Sequence, residues 1–300
     1  MVTWEQLPGT VRAAVQAHTG PISDVQAAPD GAGSDLTVTL HTGHGLVFCK
    51  GIQADHPLVR MHRTEARAAG AGVGPRLRWQ LEADGWLLLG LEHIAGRHAA
   101  LPPGSADLPL LADALERTAT LLTPSPMDPV QPLAARWAPP LGWAKLAGQP
   151  PAWLDDWTRD HVEQFAHLER AAPALVDGDT LVHTDPAPQN WLIDGERARL
   201  VDWAWPARGA AWVDTALLTI RLLDVGHTAE QAERWARTVP VYADARAAAV
   251  TVAAIAIAGL WTLRAGATGR QHELAVAAQQ WARYRLTHLR PAGPTGTIGP

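Results

Sequence analysis

Residues 181–194, LVHTDPAPQNWLID, contain the only asparagine of the 300-residue chain, Asn190, five residues after Asp185. A carboxylate in a loop can accept a proton from a hydroxyl nucleophile, and amide and carboxylate oxygens are ligands that Mg²⁺ prefers. These two residues therefore predict chemistry on a hydroxyl group beside a metal ion. The alternative is that Asp185 caps a turn next to the prolines while Asn190 tolerates an unusual backbone conformation.

The hairpin that follows this loop determines which side chain lies beside Asn190. With Gly195-Glu196 as a two-residue turn, Asn190 lies opposite Val201. Asn190 and Asp202 are then neighbours at the open end of the hairpin, where they could bind Mg²⁺ together with nucleotide phosphates. Asp185 lies at the same end, placed to accept a proton while Mg²⁺ neutralises a phosphate.

A second pair of charged residues lies in the first ninety residues. Lys50 is one of only two lysines among 25 Lys and Arg residues, and it follows the apolar alternation of the strand LVFCKGI. Glu65 falls on the apolar stripe of a predicted helix at 54–72, where a buried carboxylate needs a partner. Lys50 is the obvious partner for the Glu65 carboxylate. The alternative is a strand-edge lysine, with Glu65 on the surface beside Arg60 or Arg67.

The motif HTDPAPQN at residues 183–190, followed by LVDW at 200–203, resembles the H-G-D-x-x-x-x-N catalytic loop and I-D-W metal-binding segment of the aminoglycoside phosphotransferase family. Members of this family are small-molecule kinases with a protein-kinase-like fold, and the resemblance covers nearly the whole chain. The resemblance implies that Asp185 is the catalytic base and that Asn190 and Asp202 are Mg²⁺ ligands. It also implies two supporting residues, His183 and Asp214, of which Asp214 braces this region from the next helix.

The sequence departs from the family pattern at two positions. Thr184 stands where glycine is usual, which leaves the backbone conformation of the loop open. Ala204 follows the D-W pair, where many members carry another acid that could add a metal contact. The spacing of Lys50 and Glu65, by contrast, is similar to the strand-lysine and helix-glutamate pair of kinases.

The resemblance also implies where a nucleotide would bind. PDGAGSDLTV at 29–38 lies between two early strand candidates, as a phosphate-covering loop would, and Gly31, Gly33 and Ser34 could offer backbone N–H groups to phosphate. This stretch is not G-x-G-x-x-G and would otherwise be a polar hairpin turn. LLLGLEHIAGRH resembles the inter-lobe hinge of the family, which implies that the backbone from Glu92 to Ile94 binds the adenine edge.

We therefore expect an α+β, two-lobed, protein-kinase-like fold. A nucleotide-binding lobe would span 1–91, a hinge 92–96 and a mainly helical catalytic and acceptor-binding lobe 97–300. The first lobe is predicted as a small antiparallel sheet with one helix at 54–72 and with strands within 34–52 and 86–94. Helices of the second lobe are predicted at 107–122, 152–171, 211–224, 228–238, 243–265 and 270–288, and a loop and hairpin at 181–203. The tail from 291 is expected to be flexible.

Composition argues against several other classes of protein. A net charge of -5 and a pI near 6.2, without a block of Lys and Arg, disfavour a nucleic-acid partner. The single cysteine, Cys49, allows no intramolecular disulfide, and no secretory signal is visible, so we expect a cytoplasmic protein. The 17 uncharged residues from Ala247 to Leu263 predict a buried helix rather than a membrane span. Metal-binding HExxH, nucleophile-elbow and Walker A motifs are all missing from the sequence.

The predicted function is transfer of the γ-phosphate of ATP, with GTP possible, to a hydroxyl of a small molecule, with Mg²⁺ as the metal. One alternative is a catalytically silent nucleotide-binding pseudokinase with a regulatory or scaffolding role. Another is a Mg²⁺-dependent phosphohydrolase that uses Asp185 and Asp202. The sequence does not indicate an oligomeric state.

The identity of the acceptor is left open by the sequence, between an aminoglycoside or other antibiotic, a sugar, an amino alcohol and an amino acid. Acidic residues of the helical part could form a pocket for a polycation, although solvated faces or helix-start charges are the simpler interpretation. They are Asp155, Asp156, Asp160, Glu163, Asp224, Glu230 and Glu233. Trp203 and Trp205 could line the cleft or belong to the core.

Overall fold

The computed structural model describes residues 2–28, 33–138 and 141–288. The chain divides into two compact units, called here the sheet unit, Met1–Ala99 with Gln189–Pro206, and the helical unit, Ala100–Pro188 with Ala207–Pro300. The predicted lobe limits of 1–91 and 97–300 remain a prediction. The compact units are a different division of the chain, since they group the hairpin residues Gln189–Pro206 with the sheet unit. The predicted tail from 291, and Gly31 with its neighbours at 29–32, lie outside the described residues.

In the part of the chain that the structure describes, the sheet unit consists of an antiparallel sheet, two α-helices and a separate small hairpin sheet. Its elements are α1 (Gly9–Thr19), β1 (Ile22–Ala27), β2 (Leu36–Thr42), β3 (Gly45–Gln53), α2 (Val59–Gly70), β4 (Leu77–Ala83), β5 (Trp86–Glu92), β6 (Arg97–His98), β8 (Trp191–Asp194) and β9 (Arg197–Leu200). The helical unit contains the remaining strands, β7 (Thr180–Val182) and β10 (Ala207–Gly209), which pair antiparallel.

Five strands form the main sheet in the order β1-β2-β3-β5-β4, with every neighbouring pair antiparallel. The turn that joins β2 to β3 closes where Thr42 pairs with Gly45, as the Thr-Gly-His-Gly segment predicts. Alternation along β3 places Val47 and Cys49 on one face of the sheet and Phe48 and Lys50 on the other. The strands predicted within 34–52 and 86–94 are confirmed.

Each face of the main sheet is covered by a helix. Helix α1 contributes Val11 and Val15 to an apolar cluster that includes Cys49, whose burial raises the pKa of its thiol to about 12. Helix α2 packs on the opposite face, through Ala66 and Ala69. The prediction of a single helix in this region was therefore wrong. The apolar stripe of α1 has only two fully buried valines, which is too short a pattern for the sequence to reveal.

The small sheet is built in the order β6-β8-β9 and contains the predicted hairpin. Asp194 pairs with Arg197 across a turn in which Gly195 has a positive φ of 60°. The amide of Val201 donates to the carbonyl of Asn190 at 2.9 Å, so the predicted register is confirmed through the open end of the hairpin. The backbone positions of Asn190 and Asp202 follow from this register.

Most of the helical unit is made of helices of unequal length. They are α3 (Asp107–Leu121), α4 (Leu133–Arg136), α5 (Gly142–Leu146), α6 (Asp156–Asp160), α7 (Val162–Leu168), α8 (Ala172–Leu175), α9 (Val213–Asp224), α10 (Ala229–Ala236), α11 (Pro240–Ala243), α12 (Ala247–Arg264) and α13 (Arg270–His288). The α+β class is confirmed, and so are the long helices α3, α9, α10, α12 and α13. The short helices α4, α5, α8 and α11 were missed, because one turn carries no measurable periodicity.

The helix predicted at 152–171 is broken at His161. The ring of His161 hydrogen-bonds the carbonyl of Trp157 at 2.7 Å, and its own amide donates to Thr158 three residues back, at 3.2 Å. A side chain that occupies a helical carbonyl in this way competes with the main-chain ladder. The segment therefore ends α6 and begins α7 at this residue.

Helix α12 lies in the interior of the helical unit. The indole N–H of Trp143 donates to the carbonyl of Ile255 at 2.7 Å, and a Cβ on Gly259 would lie 2.6 Å from the Trp143 ring. By length and composition α12 could cross a membrane, but 61% of it is buried inside the structure described here. Core helices of soluble proteins share this composition.

Candidate functional site

Lys50, Glu65 and Asp202 form one charged cluster inside the sheet unit. The Lys50 ammonium lies 2.9 and 3.0 Å from the two carboxylate oxygens of Glu65 and 2.7 Å from Oδ1 of Asp202. Burial alone would lower the pKa of Lys50, but the charges of Glu65 and Asp202 raise it above its ordinary value. The pairing of Lys50 with Glu65 that the sequence predicts is therefore present, and the ammonium remains charged.

Three elements bring this cluster together. Lys50 extends from β3 on the face that α2 covers, and Glu65 projects from α2 with only 4% of its surface exposed. Asp202 follows β9 and adopts a left-handed backbone conformation with φ 65°. Its side chain is 39% exposed, so it is the member of the cluster that is open to solvent. The sequence did not predict the contact between Lys50 and Asp202.

The hairpin places the two predicted metal ligands on neighbouring backbone positions. Asn190 is buried, at 5% exposure, and Asp202 already has one oxygen on Lys50. Among the described residues, no group of three or more His, Cys, Asp or Glu side chains could hold a metal ion by itself. An amide and a carboxylate are hard oxygen donors, and a Mg²⁺ bound by them would take its other ligands from phosphates and water.

Ser34 and His62 form a second polar contact near the charged cluster. The Ser34 hydroxyl lies 3.0 Å from Nε2 of His62, which is buried on α2 one turn before Glu65. Burial, and then the charge of Lys50, lower the pKa of His62 to about 4, so the ring is neutral near pH 7. Sequence reasoning missed His62, although its spacing of three residues from Glu65 puts both on one helix face.

Glu92 ends β5, and its backbone and side chain are both engaged. Its amide donates to the carbonyl of Arg76 at 2.8 Å, and its carboxylate accepts two bonds from Arg199, at 2.9 and 3.1 Å. The bonds from Arg199 lower the pKa of Glu92 more than its partial burial raises it. Glu92 therefore fastens the β8–β9 hairpin to the end of β5, while Ile94 lies beyond the strand.

In the helical unit, Asp214 braces the loop that carries Asp185. The buried carboxylate of Asp214 accepts the backbone amides of His183 at 2.7 Å and Thr184 at 2.8 Å. Burial raises the pKa of Asp214, while His183 and the two amide bonds act in the opposite direction. The amide of Asp185 donates to Nδ1 of His183 at 3.2 Å, so the loop is held at three consecutive residues.

Thr184 adopts the conformation that a glycine would adopt most easily. Its φ is 67°, in the left-handed region, where a β-branched side chain is strained by roughly 1–3 kcal/mol. Two contacts hold it there: the amide bond to Asp214, and a bond from Arg136 to the threonine hydroxyl at 3.0 Å. Thr184, at the position where the resembled motif has glycine, therefore takes a glycine-like backbone conformation.

Arg221 contacts the side chain of Asp185, a contact that was not anticipated from the sequence. Its Nη2 lies 3.3 Å from Oδ1 of Asp185, and its guanidinium lies 5.2 Å from the centroid of the Trp261 ring. Burial lowers the pKa of Arg221, and the charge of Asp185 opposes this. Arg221 lies 36 residues after Asp185 on α9, so no local pattern could have paired them.

The acidic residues considered for a polycation pocket are engaged elsewhere or exposed. Asp155 caps α6 by accepting the amide of Thr158 at 3.0 Å, and Glu233 is buried against Arg285. Asp224 pairs with Arg270, Glu230 pairs with Arg234, and Asp156, Asp160 and Glu163 are exposed. These contacts favour the simpler interpretation, in which the acids serve helix ends, solvated faces and a structural ion pair.

The two tryptophans considered for the cleft differ in burial. Trp203 is 2% exposed, its indole donates to the carbonyl of Leu200, and a Cβ on Gly74 would lie 2.5 Å from its ring. It therefore belongs to the packing of the sheet unit. Trp205 is 39% exposed, with the guanidinium of Arg60 over its ring at 5.8 Å.

Comparison of the sequence with protein-family models and with curated proteins finds no match for this chain. Comparison by structure finds many similar proteins. One is a thermostable mutant of aminoglycoside phosphotransferase APH(4)-Ia in a ternary complex with AMP-PNP and hygromycin B. It is 14% identical with a TM-score of 0.59, over 95% of this chain and 100% of the other.

Two further structures extend the comparison to another acceptor class. An aminoglycoside phosphotransferase from Alicyclobacillus acidocaldarius is 15% identical, with a TM-score of 0.57 over 94% of each chain. A choline/ethanolamine kinase family protein from Mesorhizobium loti is 20% identical, with a TM-score of 0.55 over 92% of this chain and 94% of the other. The chain therefore has the protein-kinase-like fold that these small-molecule phosphotransferases share.

Proposed function

We propose that this protein transfers the γ-phosphate of a nucleoside triphosphate, ATP in the first instance and GTP as a possible second donor, to a hydroxyl of a small molecule. The observation that supports this most is the Lys50 ammonium between Glu65 and Asp202. A strand lysine held by a helix glutamate, beside a carboxylate that can bind metal, is what a kinase needs to position triphosphate. The fold similarity to small-molecule phosphotransferases supports the same activity.

On the nucleotide side, Lys50 would contact the inner phosphates while Glu65 holds its ammonium in place. Ser34 would lie over the phosphates, positioned by its bond to His62. Adenine would bind the backbone between Glu92 and Ile94. Because the amide of Glu92 already donates to Arg76, the free donor in this proposal comes from the residues after β5.

Asn190 and Asp202 are the proposed Mg²⁺ ligands. Their donor chemistry fits, since one amide and one carboxylate oxygen come from adjacent positions of the hairpin and Asp202 is partly open to solvent. Mg²⁺ would neutralise charge on the phosphates. The protein's own contribution there is to fix both side chains through the β8–β9 register and to keep Lys50 on one oxygen of Asp202.

Asp185 is the proposed base. The acceptor hydroxyl would hydrogen-bond its carboxylate, the hydroxyl oxygen would bond to the γ-phosphorus, the bond to the leaving ADP would break, and Asp185 would take the proton. His183 and Asp214 would hold the loop through the backbone amides described above. Catalysis would come mainly from positioning and charge neutralisation.

The test is product analysis with a broad panel of hydroxyl-bearing antibiotics and metabolites, comparing wild type with Asp185→Ala. We expect acceptor-dependent ADP formation and a phosphorylated acceptor, lost in Asp185→Ala while ATP binding stays within a few-fold. Asp177→Ala, an exposed aspartate of the same unit, is the matched control and should be fully active. Bound but unconverted ATP would indicate the pseudokinase instead, and free phosphate without acceptor would indicate a phosphohydrolase.

Asp202→Ala tests the metal ligands separately. We expect weaker binding of Mg²⁺-ATP and a higher Mg²⁺ requirement, because one of two protein oxygen ligands is removed. Asp24→Ala, an exposed aspartate of the sheet unit, serves as the control. An unchanged Mg²⁺ dependence in Asp202→Ala would refute the assignment.

A further inference from the structure

We propose that Arg221 is an acceptor-binding residue. We propose that the acceptor carries an oxyanion group, a carboxylate or a phosphate ester, beside the hydroxyl that hydrogen-bonds Asp185. This inference rests on the proposed function and narrows its acceptor class. It points away from the polycationic acceptors that the fold similarity would suggest.

The first support is the position of Arg221. Its Nη2 is 3.3 Å from Oδ1 of Asp185. An acceptor whose hydroxyl hydrogen-bonds Asp185 would therefore have its neighbouring groups within reach of the guanidinium. The Arg221 side chain is 13% exposed and the Asp185 side chain 44%, so the pair is reached from solvent through Asp185. An acceptor that approaches the base therefore meets this arginine.

The second support is the donor capacity that remains on Arg221. Of its five N–H donors, the described part of the chain uses one, from Nη2 to Asp185, and gives Nε and Nη1 no hydrogen-bond partner. Packing of the guanidinium on Trp261, at 5.2 Å, fixes its plane and leaves its edge for a ligand. A planar, held guanidinium with free edge donors is suited to a carboxylate or phosphate.

The third support is the charge around this pair. Arg264 lies over the same Trp261 ring at 5.9 Å, and Arg136 bonds Thr184, the residue before Asp185. Asp224, the other carboxylate that acts on Arg221, is paired with Arg270. Arg264 and Arg136 thus place two further positive charges close to the Arg221–Asp185 pair, which would favour an anionic acceptor over a polycation.

A structural alternative is that Arg221 only holds Asp185 in position. The two roles predict different effects of replacing Arg221 on anionic and on other acceptors. A positioning residue would affect all acceptors equally and mainly through kcat, whereas an acceptor-binding residue would affect anionic acceptors alone and mainly through KM or Kd.

The experiment measures binding and turnover of matched probes on the full chain. Gluconate, glycerate and glycerol 3-phosphate are the anionic probes; glucose and glycerol are their neutral counterparts; choline and kanamycin are the cations. Kd is measured by calorimetry with Mg²⁺ and AMP-PNP present, and turnover is measured with ATP. The variants are Arg221→Gln and Arg221→Lys, with Arg234→Gln, an exposed arginine of the same unit, as the control.

We expect at least one anionic probe to bind roughly 10-fold or more tightly than its neutral counterpart, because a hydrogen bond between two charged groups is stronger than one to a neutral group. Arg221→Gln should remove that preference, Arg221→Lys should retain part of it, and Arg234→Gln should retain all of it. Carboxylate and phosphate probes, compared with each other, identify which oxyanion is preferred.

Equal binding of anionic and neutral probes, tighter binding of a cation, or an equal loss for all probes in Arg221→Gln would overturn the proposal. Failure of the proposed function would look different. In that case the anionic preference would be present and sensitive to Arg221, but no probe that binds would be phosphorylated by wild type.

Discussion

The ammonium of Lys50 lies 2.7 Å from Oδ1 of Asp202, a residue 152 positions further along the chain. This contact joins the main sheet to the end of the β8–β9 hairpin within the sheet unit. It also gives Lys50 two carboxylate partners, of which Glu65 is the buried one.

Lys50→Met should destabilise the protein by about 3 kcal/mol, because it leaves the Glu65 carboxylate buried without its cation. The simultaneous loss of the ion pair between Lys50 and the partly exposed Asp202 should add little to this destabilisation. Urea unfolding measures the change. Lys145→Met, which removes the other, exposed lysine, is the control and should change stability by less than about 0.5 kcal/mol. Adding Glu65→Leu to Lys50→Met should recover part of the loss; if it does not, the buried carboxylate is not the cause.

Asp214→Asn should lower the free energy of unfolding by about 2 kcal/mol and slow phosphate transfer. The carboxylate accepts two backbone amides, and an asparagine offers one oxygen and turns an NH₂ group toward the other amide. Denaturant unfolding and kcat on an identified acceptor give the two readouts. Asp244→Asn, at an exposed position of the same unit, is the comparison. Equal stability of the two variants would show that the amide bonds to Asp214 contribute nothing.

Thr184→Gly should leave stability within about 0.5 kcal/mol of wild type or raise it. Glycine relieves the strain of a β-branched residue at φ 67°, which offsets the lost bond from Arg136 and the greater freedom of the unfolded chain. Thr184→Val keeps the strain and loses the hydroxyl, so it should be destabilised by about 1 kcal/mol. Thermal unfolding of the two variants compares them directly. A glycine variant less stable than the valine variant would contradict the strain argument.

His62 should make the protein less stable as pH falls from 6.5 toward 4. The pKa of the buried ring is lowered from 6.5 to about 4, so the unfolded chain takes up a proton in this window and the folded protein does not. Stability is therefore fully present above the unfolded pKa and lost as pH falls through the window. The shift corresponds to roughly 3 kcal/mol at about 1.4 kcal/mol per pKa unit.

Urea unfolding of His62→Gln at pH 7 and pH 5 checks this contribution. The variant should lose less stability between the two pH values than wild type does, and His44→Gln, at an exposed position, should behave as wild type. Parallel pH profiles for wild type and His62→Gln would show that His62 is not the titrating group.

Local patterns were sufficient for the features that depend on neighbours along the chain. The turn Gly195-Glu196 and the two-residue period of strands fixed the hairpin register, and with it the adjacency of Asn190 and Asp202 on the backbone. The apolar stripe of α2 placed Glu65 on a buried face, where its carboxylate needs a partner. The long helices α3, α9, α10, α12 and α13 followed from their periodicity.

Contacts between distant segments could not be read from such patterns. The sequence did not reveal α1, because a short helix with two buried valines is specified by the sheet that it covers. It could not join Lys50 to Asp202 or Arg221 to Asp185, because side-chain reach across 152 and 36 residues depends on how strands and helices pack.

The sequence by itself therefore determined the types and local spacing of the reactive residues: a carboxylate in a loop, an amide and a carboxylate across a hairpin, and a lysine with its glutamate. Only the tertiary structure decided their surroundings. It placed the carboxylate of Asp202 against the Lys50 ammonium, the ring of His62 within hydrogen-bond distance of the Ser34 hydroxyl, and the Arg221 guanidinium against Asp185. The physical reason is that chemistry requires particular residue types, which a sequence displays, whereas electrostatic environment arises from packing between elements remote in the chain.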